Sequence, residues 1–125
     1  MTFIAGAAAP SFDFNGVNFT GLAAPSRGAT ENAVWRLKVG PASISAGPHQ
    51  LSREEILVAL SGAAIAQIGE ERHAFAAGDT IIIPAFVDFA LDNPGDQPFE
   101  AIAIFPVGGR AILPGTAPFT PPWAV

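Results

Sequence analysis

Apolar and polar residues alternate with a period of two through most of the middle of the chain. Ala33-Val34-Trp35-Arg36-Leu37-Lys38-Val39 sets the pattern, with Trp35, Leu37 and Val39 on one face and Arg36 and Lys38 on the other, as a half-buried strand requires. Further strands are predicted over 54–61, 63–68, 72–76, 79–84, 87–93 and 99–107. Each is bounded by Gly, Pro or the turn sequence Asn93-Pro94-Gly95-Asp96. Helical periodicity is hard to find. Brief strands joined by turns predict an all-β protein, an antiparallel sandwich or barrel, over residues 32–107.

The flanks read differently. Residues 1–31 are rich in Ala, Gly and Pro yet carry Phe12, Phe14 and Phe19, and residues 108–125 are Pro-rich yet carry Phe119 and Trp123. Large aromatic side chains in turn-like sequence need burial somewhere. Residues 1–31 are therefore expected to form an arm with aromatic anchors, and 108–125 a tail packed on the barrel or on a partner subunit, with Phe119 and Trp123 largely buried. A second subunit would also cover exposed sheet edges, so a homodimer is expected.

Composition narrows the function classes. A chain of 125 residues is about one domain, large enough for a core of its own. With no Cys there is no disulfide framework, thiolate nucleophile or thiolate metal ligand. The net charge of −5 and six scattered Lys and Arg residues exclude a basic stripe able to neutralise a phosphate backbone, so no nucleic-acid partner is expected. The first ten residues lack the positive start of a signal peptide, and no apolar run approaches the ~18 residues of a membrane span; a soluble cytoplasmic protein is predicted, with no membrane partner. Asn18-Phe19-Thr20 matches the glycosylation sequon, which carries weight only in a secreted chain.

The chemistry-bearing residues concentrate in Gly47-Pro48-His49-Gln50-Leu51-Ser52-Arg53-Glu54-Glu55, followed by an apolar run to Gly62, and in the stretch from Gly78 to Asn93. These two stretches resemble the two motifs of the cupin superfamily, G-x5-H-x-H-x3-4-E-x6-G and G-x5-P-x-G-x2-H-x3-N. His49, Glu55 and Gly62 match the first motif, and Leu51 stands at its second histidine. Gly78, Pro84 and Asn93 match the second, while Phe86 stands at its glycine and Phe89 at its histidine. The glycine that opens the first motif is absent. The resemblance, over roughly 33–107, implies a small jelly-roll barrel with a site in its mouth.

In the family, three histidines and the glutamate bind a divalent metal such as Mn, Fe, Ni or Zn. Here only His49 and Glu55 could ligate, so no tightly bound metal or other cofactor is expected, although weak divalent binding at that pair is allowed. Gln50 should point to the opposite face from His49 and Leu51. A histidine and a carboxylate in an apolar barrel can act as acid and base, each shifted by burial and by mutual attraction, or can orient a ligand by hydrogen bonds. Leu51, Phe86, Phe89 and Trp35 would supply apolar walls for a small organic guest.

Other candidates have simpler explanations. His73 is expected to be a half-exposed strand residue, Glu54 a solvated charge, and Asp96 a turn residue. No phosphate-binding glycine loop and no nucleophile elbow occurs. Three functions remain open: a small-molecule-binding domain without firmly bound metal, a metal-independent isomerase, cyclase or lyase using His49 and Glu55, and a metal-dependent enzyme with an incomplete ligand set.

Overall fold

The alternating segments do fold as strands. In the computed structural model, which describes residues 1–125, eleven strands follow one another: β1 (Ser11–Phe14), β2 (Val17–Ala23), β3 (Asn32–Val39), β4 (Gln50–Leu51), β5 (Glu55–Ser61), β6 (Ala63–Ile68), β7 (Glu71–Ala76), β8 (Thr80–Ile83), β9 (Phe89–Asp92), β10 (Phe99–Pro106) and β11 (Ala111–Ile112). Helix is limited to single 3-10 turns at Gly6–Ala8, Pro25–Arg27 and Pro122–Ala124. No helix is long and apolar enough to cross a membrane.

One sheet has the order β1-β2-β3-β10-β5-β8; opposite it stand a three-stranded sheet, β7-β6-β9, and the short pair β11-β4. Every pairing is antiparallel. The chain is an all-β antiparallel jelly roll. Period two carries Trp35, Leu37, Val39, Leu57, Ala59, Phe99, Ala101, Ala103 and Phe105 into the barrel, where all are buried. On the outer face the register aligns Val34, Ile104, Ile56 and Ile82 in one row and Ile102 and Val58 in the next.

Two turn positions depend on residue type. Gly62, between β5 and β6, has φ +75°, and a Cβ there would run into the Pro98 carbonyl. Asn93 is buried and works as a turn clamp: its amide donates to the carbonyls of Val39 (3.2 Å) and Gln97 (2.8 Å), and its Oδ1 accepts from the Gly95 N–H (3.1 Å). Both positions match the motifs, and both matches have a structural cause.

The flanks are more ordered than the sequence suggests. Residues 1–31 are not merely an arm, because β1 and β2 form a hairpin that continues the large sheet through β2–β3 pairing. The tail returns over its own barrel: Phe119 exchanges backbone hydrogen bonds with Ala111 at 2.8 and 3.1 Å, and Trp123 stacks on Phe19 with ring centroids 3.7 Å apart. Trp123 is buried, as expected from its size. Phe119 is only half-buried, because one side of its ring lies at the barrel mouth.

Candidate ligand-binding cavity

His49 lies just before β4 and is held by the backbone. Its N–H donates to the Phe89 carbonyl (3.0 Å) and its carbonyl accepts from the Phe89 N–H (2.8 Å), which brings the two side chains together edge to face at 5.7 Å. Leu51 follows two residues later on the same side and is buried. Glu55 opens β5, and strand alternation turns it inward with Leu57 and Ala59, leaving it 5% exposed. Trp35 comes from β3.

These five side chains line one cavity of about 170 Å³. Much of its remaining wall comes from segments that the sequence motifs do not touch: Phe14 and Phe19 from the β1–β2 hairpin, Ile44 from the β3–β4 connection, and Phe119 and Trp123 from the tail. Ile44 is 70% exposed and, with the exposed Asn15 and Gly47, marks the opening. The aromatic residues of the flanks had signalled that they needed burial. Their shared destination, the mouth of the barrel, depends on contacts distant in sequence.

Phe86 is a correction. It was expected to point into the barrel with Leu51 and Phe89, but it is 62% exposed, lies outside the cavity and adopts φ +62°. Strand alternation does not run through the Pro84-Ala85-Phe86 turn, whose geometry is set by the Phe86 N–H bonding to the Leu51 carbonyl (2.8 Å). Gln50 does point away from the cavity, donating to Asp88 Oδ1 at 2.9 Å. Glu54 is exposed, and His73 is exposed on β7 beside Glu71, 3.4 Å away.

The electrostatics of the pair also differ from expectation. His49 and Glu55 form no ion pair, so mutual attraction does not enter. Burial alone moves both groups toward neutrality: desolvation lowers His49 below its ordinary value and raises Glu55 to about 8. Near neutral pH the cavity thus holds an uncharged imidazole and a protonated carboxyl. The indole N–H groups of Trp35 and Trp123 are buried without an oxygen or nitrogen acceptor. The Trp35 ring lies edge to face with Phe105 and Trp123, at 5.9 and 6.3 Å.

A metal ion of the kind the motif implies fits this donor set poorly. Leu51 and Phe89 occupy two of the four ligand positions and offer no lone pair, and no group of three or more His, Cys, Asp or Glu side chains is present. One imidazole and one carboxylate fall short of the three or more protein ligands usual in a closed site.

Comparison with known proteins agrees with the architecture. A family model described as a cupin domain matches residues 34–105. Among solved structures, the polyketide cyclase RemF from Streptomyces resistomycificus superposes with a TM-score of 0.77 at 14% identity, covering 94% of this chain and 87% of that one. A sugar phosphate isomerase from Silicibacter pomeroyi DSS-3 gives 0.68 at 18% identity, covering 81% and 67%. KdgF from Halomonas sp. gives 0.70 at 17% identity, covering 85% and 93%. At these identities the likeness establishes the fold and not the reaction. No curated protein matches the sequence.

Proposed function

The chain belongs to the cupin family, and from that premise we propose that its barrel binds a small, largely apolar organic molecule, with His49 and Glu55 as the polar corner of the site. The observation that carries this reading is the cavity itself: 15 of its 22 lining residues are hydrophobic, and two of them, Trp35 and Trp123, have buried indole N–H groups without an acceptor. A buried polar group without a partner costs stability, which a ligand supplying hydrogen bonds would offset. Both tryptophans of the chain line the cavity, so intrinsic fluorescence reports on it directly. Titration with a small aromatic ketone should change that fluorescence saturably, and His49→Ala should weaken the effect while leaving the fold intact. A signal that does not saturate, or that is unchanged in His49→Ala, argues against the reading.

A neutral acid and a neutral base facing one largely apolar cavity also favour a second reading, a metal-independent isomerase, cyclase or lyase. Glu55 would give a proton to the substrate and His49 would take one. Glu55→Gln separates the two: a binder loses on the order of 1 kcal/mol and still binds, whereas an acid–base enzyme loses about 10²-fold or more in rate.

We also propose that the expected homodimer forms through the outer sheet face. One apolar row, Val34, Ile104, Ile56 and Ile82, crosses four strands, β3, β10, β5 and β8, and the next carries Ile102 and Val58 between Arg36 and Thr80, an apolar centre with a polar rim of the kind a partner surface covers. A twofold pairing needs only this one patch on each copy. A monomeric mass by analytical ultracentrifugation at micromolar concentration would refute it.

A further inference from the structure

The position of every charged side chain relative to the cavity sets a limit on what can enter it. The six basic residues are Arg27, Arg36, Lys38, Arg53, Arg72 and Arg110, and none lines the cavity. No α-helix is present to direct a positive end at the site. A carboxylate or phosphate entering the barrel would therefore shed water and meet no counter-charge, a cost of several kcal/mol in comparable settings. The one side chain that could become cationic, His49, is held toward its neutral form by burial.

The polar corner is complementary to uncharged oxygen groups. The indole N–H groups of Trp35 and Trp123, two residues of the cavity wall, are buried without an acceptor, and the His49 and Glu55 side chains make no hydrogen bond to the protein, so a carbonyl or hydroxyl oxygen would find partners among them. Trp35, Phe89, Phe119 and Trp123 present aromatic surface around that corner. A cavity of roughly 150 Å³ lined by apolar side chains holds one benzene ring; this one, at about 170 Å³ with an open mouth, takes one ring and lets substituents reach solvent.

Resting on the proposal that this cavity is a ligand site, we infer that its ligand is an uncharged aromatic ketone or phenol, and that the absence of any basic side chain from the wall excludes carboxylates and phosphates. An amine is disfavoured as well, because its ammonium group would lose hydration on entering a wall of mostly apolar side chains.

Four single-ring probes test this by calorimetric titration of the full chain at neutral pH: 4-hydroxyacetophenone, its near-isostere 4-hydroxybenzoate, phenyl phosphate and benzylamine. The ketone is expected to bind at least about tenfold more tightly than each charged probe. Leu51→Arg, which places a cation in the wall, should bring 4-hydroxybenzoate up to or above the ketone. Glu55→Gln, which keeps shape and a donor, should preserve the ketone preference even if the arginine variant does not fold. Equal or tighter binding of the carboxylate or phosphate by the parent protein overturns this inference alone and leaves the ligand site standing. Tightest binding of benzylamine overturns it in favour of a cationic ligand. Failure of all four probes overturns the ligand-site proposal, and this inference with it.

Discussion

Glu55 is where a single residue shapes the behaviour of the molecule. Its carboxyl titrates near 4.5 when unfolded and at about 8 in the barrel, so the folded state holds the proton more tightly. Its stabilising contribution is complete below the unfolded value and is lost as pH rises through the folded one. His49 runs the other way. Its folded pKa lies below 6.5, so its contribution is present above that value and is lost as pH falls. Between pH 6.5 and about 8 only Glu55 acts, and stability should fall by roughly 2 kcal/mol across that window. Urea denaturation at the two ends should show this decline in the parent and a flat profile in Glu55→Gln; a decline that persists in the variant would assign the titration to another group. Phe86 provides a second test. A bulky residue at φ +62° with a largely exposed ring carries strain of about 1 kcal/mol and recovers little by burial. Phe86→Gly should therefore be stabilising by up to about 1 kcal/mol in the same assay, and a destabilised variant would show that the phenyl ring packs on something.

Among the elements, the β5–β6 connection is the most constrained. Gly62→Ala would place a methyl group against the Pro98 carbonyl at a left-handed φ, and should cost roughly 2 kcal/mol or more in thermal or chemical denaturation. A neutral substitution would mean that the turn can open, and with it the β5–β10 register. Legibility of the elements followed strand length and one-sided burial rather than position in the sheet, since edge strand β8 reads clearly and β2, with two neighbours, does not. Strands β3, β5, β6, β8 and β10 bury one face and read clearly as alternation, whereas β4 and β11 are two residues long and carry no period. Strand β2 does alternate, with Val17 and Phe19 facing inward, but Gly21 interrupts its apolar face. A side chain at Gly21 would meet the Arg27 guanidinium at 2.6 Å, so that flexible side chain would have to move aside. The motif spacing placed His49, Leu51, Glu55 and Phe89, and strand alternation Trp35, around one cavity. It misplaced Phe86, which sits in a turn, and it could not show that the two flanks, at opposite ends of the chain, would close the mouth with Phe14 and Trp123.

At the scale of the whole molecule, the barrel brings four positions together, two bearing polar side chains and two apolar ones. His49 from the β3–β4 connection, Leu51 from β4, Glu55 from β5 and Phe89 from β9 line the same cavity, and the His49–Phe89 backbone bridge fixes two of them against each other. The geometry of a metal site is set by backbone positions, and its occupancy by donor atoms. Restoring donors should therefore restore binding without rebuilding the fold. The parent, with one imidazole and one carboxylate, should give up any divalent ion to mild chelation. Leu51→His combined with Phe89→His would supply three imidazoles and the Glu55 carboxylate, and coordination by a cation would also draw the buried carboxyl to its ionised form. Zinc or nickel content after dialysis against EDTA, measured by elemental analysis, should be near zero in the parent and approach one ion per chain in the double variant. Each single variant should fall between them. If the double variant retains no more metal than the parent, the four side chains do not share one centre, and the polar corner assigned to His49 and Glu55 loses its geometric basis.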